Sequence, residues 1–266
     1  MNLENICKQT IDIAKKAGNF IKKESEAFNK DAVEIKSFNQ LVSYVDKTSE
    51  EILVDGLSQI LPEAGFITEE NTIASLEKVY MWVIDPLDGT TNFVHQIPVY
   101  SISIGLLHHR KPVVGVVYEI NRNEMFYAWK NGGAFLNGNK ILVKQNYELK
   151  KALLATGFPY YDFDIMDNYL TALKYLMSHT QGMRRMGSAA VDLAYTACGR
   201  FDGFFEYGLS PWDVAAGVCL IEEAGGIVKD FNGGDDYIFG RTILGSSSNI
   251  YNQFSEVIKN SFSMKK

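Results

Sequence analysis

Two aspartates in one short segment form a candidate metal-binding site. Residues 82–93 read WVIDPLDGTTNF, in which a strand-like run delivers Asp85 and Asp88 follows three residues later. The two carboxylates and the intervening Leu87 carbonyl can converge on one point, and Gly89 permits a close approach of the backbone. Oxygen ligands without His or Cys suit Mg²⁺, Mn²⁺ or Ca²⁺ rather than zinc. The alternative is an Asp-Pro turn with a solvated carboxylate.

Two other acidic segments lie next to elements that could bring them to the same place. Glu69 follows the strand-like residues 65–68, and Asp213 begins a helical stretch that ends before two glycines, Gly225 and Gly226. The chain shows no motif for a nucleophilic Ser or Cys. The acidic pattern therefore indicates chemistry that depends on metal ions rather than on a covalent intermediate.

Residues 82–95 and 212–226 together resemble the inositol monophosphatase family of Mg²⁺-dependent, lithium-sensitive phosphatases. The first stretch carries Asp-Pro-Leu-Asp-Gly-Thr, and the second runs from Trp-Asp to Gly-Gly. Both stretches are long and specific, and family-like segments extend from about residue 5 to about residue 260. The resemblance implies an α+β fold with layers in the order α/β/α/β/α, the sugar-phosphatase fold.

The resemblance assigns a metal role to five positions. It implies that Glu69, Asp85 and the Leu87 carbonyl hold one Mg²⁺, and that Asp85, Asp88 and Asp213 hold a second. Asp85 would bridge the two ions, and a third, more weakly held ion would lie near Glu69. The expected cofactor is therefore Mg²⁺, as two or three ions. A phosphate monoester carries about −1.5 to −2 charges near neutral pH, so it needs these cations to enter an acidic site.

Thr90 and Asp46 resemble the family's pair that orients and deprotonates the attacking water. Asp46 lies shortly before the predicted second helix, so a plain helix-capping role is the alternative. That helix is predicted to start at Thr48, which with Glu51 fits a capping box, and to stop at Pro62.

The resemblance also implies a set of substrate contacts. Gly187-Ser188-Ala189 is similar to a Gly-Thr-Ala segment that contacts the polyol, and Glu206 is similar to an acceptor for ring hydroxyls. A solvated carboxylate is the alternative for Glu206. The other expected substrate contacts lie in the metal-binding segments: Asp88, Gly89, Thr90 and Asp213.

The loop expected over the metals differs from the family's common pattern. Lys36 resembles the lysine of that loop, with an ordinary surface lysine as the alternative. Residues 37–40 read SFNQ where Pro-Ala-Asp is common in the family. Thr68 stands before Glu69 where the family usually has glycine, which places a branched side chain beside a metal ligand.

Hydrophobic periodicity predicts helices and strands in a mixed order. Besides the helix that starts at Thr48, helices are predicted over residues 2–27, 164–178, 188–198, 211–224 and 250–261. Strands are predicted over residues 65–68, 81–84, 101–107, 113–118 and 125–129, as an antiparallel meander. Later strands are predicted over residues 201–206, 227–231 and 242–245. We expect one domain over residues 1–266, with a possible subdivision near residues 145–150 into an N-terminal α+β half and a C-terminal α/β half.

The overall composition limits the partners and the location of the protein. A net charge of −6 argues against general binding to nucleic acid or anionic membranes, since such binding depends on clustered Lys and Arg. Three cysteines without a CxxC pair fit a reducing compartment, and the first residues lack a secretory signal pattern. No apolar run reaches the about 20 residues of a membrane span. We therefore expect a cytoplasmic protein, and the family resemblance implies a homodimer.

The leading hypothesis is an Mg²⁺-dependent phosphomonoesterase whose partner is a small-molecule phosphate monoester. It would hydrolyse inositol monophosphate or a similar polyol phosphate with a metal-activated water. The absence of Lys after Gly89-Thr90 favours this over the related nucleotide bisphosphatases. A fructose-1,6-bisphosphatase or nucleotide phosphatase on the same metal site is the alternative among enzymes. A regulatory role that binds transcription machinery, as in some bacterial relatives, is the alternative of a different class.

Overall fold

The computed structural model describes residues 1–27, 33–37, 40–74, 76–145, 148–160 and 162–263, without the side chains of residues 33–37 and 40–42. The helices of this part of the chain are α1 (Leu3–Ala27), α2 (Tyr44–Ile60), α3 (Thr90–Val94), α4 (Met166–His179), α5 (Ala189–Ala197), α6 (Pro211–Glu223) and α7 (Ser248–Ser263). The strands are β1 (Val33–Ser37), β2 (Gln40–Ser43), β3 (Gly65–Thr68), β4 (Tyr80–Asp88), β5 (Ser101–His108), β6 (Lys111–Glu119), β7 (Glu124–Trp129), β8 (Gly133–Leu136), β9 (Asn139–Ile141), β10 (Leu153–Thr156), β11 (Gly182–Arg184), β12 (Gly203–Tyr207), β13 (Gly226–Lys229) and β14 (Thr242–Ser247).

These strands form a seven-stranded sheet, a five-stranded sheet and the β1–β2 hairpin. In the seven-stranded sheet β3 to β9 follow chain order; β3 and β4 are parallel, and all later neighbours are antiparallel. The predicted antiparallel meander is therefore confirmed from β4 onward, and it is wrong for β3, which pairs with β4 in parallel. The five-stranded sheet has the order β11-β10-β12-β14-β13, with both parallel and antiparallel pairs. The sequence pattern does not predict β10 or β11, because four and three residues are too few to show an alternation.

Three apolar clusters divide the molecule into five layers. Helices α1 and α2 pack on one face of the seven-stranded sheet. Helices α5 and α6 lie between the two sheets, and α4 and α7 cover the other face of the five-stranded sheet. The predicted α/β/α/β/α order is therefore confirmed. Within the described residues, no helix combines the length and the apolar character that crossing a bilayer requires.

Helix α2 begins earlier than the sequence predicts. Its N-cap is Ser43, which has an extended backbone and accepts the Val45 N–H through its hydroxyl, and the capping box is closed by Asp46. The predicted box of Thr48 and Glu51 is wrong, because both residues lie inside the helix. Asp46 therefore lies in the first turn of α2 and not before the helix.

Helix α6 packs directly against the backbone of two paired glycines. Gly105 of β5 and Gly115 of β6 stand opposite each other in the sheet. A Cβ at Gly115 would lie 2.4 Å from the Ala216 carbonyl oxygen, and a Cβ at Gly105 would lie 2.8 Å from the Ala215 Cβ. The two glycines therefore set how closely the helix that carries Asp213 approaches the sheet.

Replacing Gly115 with alanine should lower the free energy of unfolding by about 1–3 kcal/mol, because the added methyl group overpacks this contact. Urea unfolding measures the change. Gly182→Ala in β11 is the matched control, since its Cβ would meet its neighbours at ordinary distances of 3.4 and 3.5 Å. The control should change the free energy of unfolding by less than about 0.5 kcal/mol. Equal losses in the two variants would contradict the close packing of α6.

Candidate active site

A bulge in β4 brings Asp85 and Asp88 to the same face of the seven-stranded sheet. Asp85 pairs with Ser103 of β5, and Asp88 pairs with Ser101. An advance of three residues along β4 therefore corresponds to two residues along β5, which leaves one extra residue in β4. Side chains alternate between faces along a strand, and the extra residue therefore returns Asp88 to the face of Asp85. The alternative of a turn with a solvated carboxylate is wrong. Strand β4 runs through Asp88, and the two aspartates are only 2% and 9% exposed.

Helix α5 holds Asp88 at its N-terminus. Asp88 Oδ2 accepts hydrogen bonds from Ser188 Oγ at 2.6 Å and from the Ala190 N–H at 2.7 Å. Ser188 is the N-cap of α5, where unpaired N–H groups and the helix dipole favour a negative charge. The Ser101 hydroxyl lies 3.3 Å from the Ser188 hydroxyl. Ser188 thus orients Asp88, and its contact with the substrate stays a prediction.

Asp213 lies in the first turn of α6. Its Oδ2 accepts the N–H of the N-cap, Ser210, at 2.7 Å. The Ser103 hydroxyl of β5 donates to the Trp212 carbonyl oxygen at 3.0 Å. Because Ser103 pairs with Asp85 across the sheet, this bond brings the start of α6 next to the bulge in β4.

Glu69 completes a group of four interacting acidic side chains. It follows β3, and its N–H still bonds the Ile84 carbonyl of β4 at 3.3 Å. Burial raises the pKa of Asp85 well above its usual range, and the charges of Glu69, Asp88 and Asp213 raise it further. Burial and the charge of Asp88 likewise raise the pKa of Asp213. Carboxylates from three parts of the chain therefore share one electrostatic site.

The oxygen donors of this site fit Mg²⁺. Carboxylates and the Leu87 backbone carbonyl are hard ligands of the kind that Mg²⁺ and Ca²⁺ take. In the part of the chain that the structure describes, no three acidic, His or Cys side chains form a closed metal-binding cluster. The raised pKa values of Asp85, Asp88 and Asp213 indicate that a cation would stabilise their ionised forms.

Thr90 and Asp46 are brought together at the start of two helices. The Thr90 hydroxyl lies 2.8 Å from Asp46 Oδ1 and 3.0 Å from the Leu87 carbonyl oxygen. Asp46 Oδ2 accepts hydrogen bonds from the N–H and the hydroxyl of Ser43, at 2.8 and 2.7 Å. Burial raises the pKa of Asp46, while these hydrogen bonds act in the opposite direction. Asp46 thus caps α2 and contacts Thr90 at the same time, so the two sequence interpretations are compatible.

Gly89 connects the bulge in β4 to Thr90. It has a positive φ of 96° as the N-cap of α3, a conformation that favours glycine. A Cβ there would lie 3.1 Å from the Val99 carbonyl oxygen and 3.3 Å from that of Gly187. The predicted substrate segment Gly187-Ser188-Ala189 therefore lies directly against the Gly89 turn.

Glu206 of β12 lies against Gly157 and interacts with the Arg185 guanidinium. A Cβ on Gly157 would lie 1.9 Å from Glu206 Oε1, so only glycine leaves room for this carboxylate. Burial raises the pKa of Glu206 to about 8, while the Arg185 guanidinium acts in the opposite direction. That guanidinium lies 5.5 Å from the ring centroids of both Phe158 and Tyr160. We call these five residues the alcohol-side group.

The predicted loop over the metals is only partly covered. Residues 38 and 39 and the side chain of Lys36 lie outside the described residues. Thr68, the position where the family usually has glycine, is the last residue of β3 and is 4% exposed.

Asn92 and Asp192 are buried polar residues that the sequence analysis does not identify. Asn92 Nδ2 donates to the carbonyl oxygens of Val99 and Met186, at 2.7 and 2.9 Å. Asp192 on α5 accepts a hydrogen bond from the Met186 N–H. Both therefore hold the backbone just before Ser188. The position of Asn92 inside the motif of residues 82–95 is a signal that could have identified it, whereas Asp192 lies in a mostly apolar stretch without such a signal.

Comparison with known proteins gives matches over nearly the whole chain. A family model described as "Inositol monophosphatase family" matches residues 2–261. The protein named Nus factor SuhB of Escherichia coli K12 is 42% identical over 240 residues, which cover 89% of each chain. The structure of inositol monophosphatase from Anabaena has a TM-score of 0.86 at 36% identity and covers 98% of this chain and 97% of that one. The extragenic suppressor protein suhB from Bartonella henselae has a TM-score of 0.89 at 36% identity, with 95% and 97% covered.

In the presence of a chelator, Asp88 should destabilise the folded state progressively as the pH rises from about 4 to about 6. Burial raises its folded pKa to about 6, against about 3.9 for an exposed Asp in the unfolded chain. The folded chain therefore binds this proton more tightly. The destabilisation is absent below about pH 4 and complete above about pH 6, where it is on the order of 3 kcal/mol.

Urea unfolding of the wild type and of Asp88→Asn at each pH isolates this contribution, because the variant lacks the titrating group. The free energy of unfolding of the variant minus that of the wild type should increase between about pH 4 and about pH 6 and stay constant above that range. Asp12→Asn, an exposed change on α1 with the same effect on net charge, should show no such shift. A pH-independent difference for Asp88→Asn would contradict the prediction.

Proposed function

Because the chain belongs to the inositol monophosphatase family, we propose that it hydrolyses inositol monophosphate or a similar polyol phosphate with Mg²⁺. One observation carries this proposal. The interacting carboxylates of Asp85, Asp88 and Asp213 lie close to the hydrogen-bonded pair of Thr90 and Asp46. This arrangement supports a site in which a phosphate group and an attacking water lie side by side.

In this proposal Glu69, Asp85 and the Leu87 carbonyl would hold one ion, Asp85, Asp88 and Asp213 would hold a second, and Glu69 would also contribute to a third. Bound Mg²⁺ supplies the charge that neutralises the phosphate, activates water and stabilises the leaving alkoxide. The chain's own contribution is to orient the ligands. Asp85 Oδ1, for example, accepts the Leu87 N–H at 2.9 Å, which fixes the direction of the carboxylate.

The Thr90 hydroxyl and Asp46 would move the proton of the attacking water. Thr90 has one hydroxyl proton and two nearby acceptors, Asp46 Oδ1 and the Leu87 carbonyl oxygen. When it donates to Asp46, its own lone pairs can accept a proton from water. Burial raises the pKa of Asp46, which makes its carboxylate a stronger base. The proton can therefore pass from water through Thr90 to Asp46.

The alcohol-side group favours a second candidate within the same chemistry. Glu206 can accept hydrogen bonds from hydroxyl groups, and Arg185 adds a cation that interacts with Glu206 and Asp88. A guanidinium next to the substrate's alcohol part would bind a second anionic group. This observation favours a sugar bisphosphate such as fructose 1,6-bisphosphate, or a nucleotide, as the second candidate substrate.

A regulatory role that binds transcription machinery is the candidate of a different class. It is favoured by the relatives that carry the name Nus factor SuhB, at 42% identity over most of this chain. Such a role would use a surface outside the acidic site. A pull-down from cell extract, with an active-site variant and the wild type side by side, would show whether binding is independent of catalysis.

We further propose that residues 1–266 act as one catalytic domain that forms a homodimer. The acidic site joins Asp85, from the sequence before residues 145–150, to Asp213, from the sequence after them. Neither half of the chain would therefore have the complete site on its own.

The proposal predicts Mg²⁺-dependent release of phosphate from inositol monophosphate or another polyol phosphate. A panel that also contains fructose 1,6-bisphosphate and a nucleoside monophosphate should be measured by phosphate release, with Mg²⁺ and with excess chelator. Activity should disappear in the chelator and return with Mg²⁺. Substantial hydrolysis in excess chelator would contradict the metal site, and preference for a bisphosphate would favour the second candidate.

The Asp213→Asn variant should lose this activity and keep its fold, which circular dichroism would check. Removing one charge from a repulsive group does not by itself unfold the protein. Asp12→Asn is again the matched control for net charge and should keep wild-type activity. An active Asp213→Asn variant would exclude Asp213 as a metal ligand.

Thr90→Ala and Asp46→Asn should each lower kcat by roughly 10²- to 10⁴-fold with little change in KM, because the pair acts mainly in the transition state. The double variant should be only slightly slower than either single variant, since groups that act as one unit are not additive. Steady-state kinetics at saturating Mg²⁺ measures these effects.

Two control variants separate the catalytic role of Asp46 from its capping role. Thr90→Ser keeps the hydroxyl and should retain most of the activity. Ser43→Ala removes the capping hydroxyl and leaves the bond between Asp46 Oδ1 and Thr90, so it should lower stability by about 1 kcal/mol with a small effect on kcat. If Ser43→Ala lowered kcat as much as Asp46→Asn, Asp46 would act through the helix cap alone.

A further inference from the structure

Glu50 is a buried carboxylate that has no part in the chemistry assigned above. It lies on α2 and is 0% exposed. Its Oε2 accepts the Glu70 N–H at 2.7 Å. Its Oε1 accepts the N–H and the hydroxyl of Thr72, at 2.8 and 2.7 Å. A buried carboxylate is costly unless hydrogen bonds compensate it, and here all three of these bonds go to residues 70–72.

Residues 70–72 directly follow Glu69, which we assign to the first Mg²⁺. Up to Glu69 the chain is held by backbone hydrogen bonds of the sheet. The last of these hydrogen bonds joins the Glu69 N–H to the Ile84 carbonyl. The next strand or helix of the described chain is β4, which begins at Tyr80. Glu50 therefore supplies the backbone hydrogen bonds that the sheet no longer supplies after Glu69.

The same face of α2 also contacts the segment that carries Asp85 and Asp88. Asp46 contacts Thr90, and the Ser49 hydroxyl donates to the Pro86 carbonyl oxygen inside the bulge at 3.2 Å. Positions 46, 49 and 50 are spaced three and four residues apart, so they lie on one face of the helix. One helix face thus contacts two segments of the site, residues 70–72 and residues 86–90, the second through the Pro86 carbonyl and the Thr90 hydroxyl.

We infer that Glu50 is a positioning residue for the first Mg²⁺: by holding residues 70–72 it fixes the Glu69 carboxylate beside Asp85. The inference rests on the proposed metal-dependent function and adds to it a determinant of metal affinity outside the ligand set. Glu50 bonds the backbone and not the reacting groups. Its loss therefore weakens binding of the ion and leaves the chemical step nearly unchanged once the ions are bound.

Glu50→Gln in the full-length protein tests this inference, with Mn²⁺ as the probe in calorimetric titrations without substrate. The amide NH₂ would face an N–H group, so one hydrogen bond is lost and two donors oppose each other. Affinity for the tightest Mn²⁺ should fall by roughly 10- to 100-fold, as is typical for partners of metal ligands. The Mg²⁺ concentration for half-maximal activity should rise in parallel, with kcat at saturating Mg²⁺ within about threefold of the wild type.

Two further variants separate positioning from a loss of stability. Glu51→Gln changes the exposed neighbouring carboxylate on the same helix and makes the same change in charge. Leu57→Ala removes a buried apolar side chain of α2, which lowers stability without touching residues 70–72. Both should bind Mn²⁺ like the wild type. If Glu50→Gln lowered only the midpoint of urea unfolding, as Leu57→Ala should, the inference would be overturned.

Thr72→Val provides the test should Glu50→Gln fail to fold. It removes only the hydroxyl bond to Glu50 and should weaken Mn²⁺ binding by about 2- to 10-fold, the range for one hydrogen bond. Unchanged affinity in this variant would overturn the inference. Absence of Mn²⁺ binding by the wild type would instead overturn the proposed metal site. If the wild type binds Mn²⁺ and the Glu50→Gln and Thr72→Val variants bind it equally tightly, the role of Glu50 would be overturned and the proposed metal site would stand.

Discussion

Repulsion between buried carboxylates is the constraint on which the arrangement of this site depends. Asp85, Asp88 and Asp213 each accept a backbone N–H through one oxygen, from the bulge in β4, from α5 and from the N-cap of α6. Such a bond orients a carboxylate but leaves most of its charge uncompensated, as their raised pKa values indicate. The fold therefore gathers fixed negative charge at a point that only a cation can stabilise fully.

Three helix starts reduce the cost of gathering this charge. Asp46 and Asp213 lie in the first turns of α2 and α6, and Asp88 binds the first turn of α5. A negative charge at a helix N-terminus gains about 0.3–1 kcal/mol when exposed and up to about 2 kcal/mol when partly buried. The rise of about two units in the pKa of Asp88 corresponds to a larger penalty, on the order of 3 kcal/mol. Helix dipoles thus help to assemble the site and do not by themselves compensate its buried negative charge.

The residue pattern by itself predicts the local parts of this site, whereas distant parts such as Asp213 and the contact between Thr90 and Asp46 were expected only from the family resemblance. Asp85 and Asp88 lie in one short motif, so their proximity follows from the chain itself. The start of α2 does not follow from local spacing. Ser43 with Asp46 and Thr48 with Glu51 both have the spacing of a capping box, and the structure uses the first pair. Asp46 of that pair also bonds Thr90, which is 44 residues away. The bond between Ser188 and Asp88, which are 100 residues apart, is equally invisible in a single sequence. The long helices and strands were predictable because their periodicity is local, whereas β10 and β11 are too short to show it, and the layered fold class came from the family resemblance.

The phosphate side and the alcohol side of the site are built in different ways. The motifs that identify the family, residues 82–95 and 212–226, supply carboxylates fixed by backbone bonds, which suits a reaction common to many substrates. The alcohol-side group consists of Glu206 in the space left by Gly157, with Arg185 against two partly exposed rings. In the proposed function, substitutions there would change substrate preference without moving the carboxylates proposed to face the phosphate. The two sides still interact through space, because Asp88 raises the pKa of Glu206 while Arg185 lowers it. In the proposed function the family motifs would therefore supply the reaction, and the balance of charge around Glu206 would determine which alcohol is accepted.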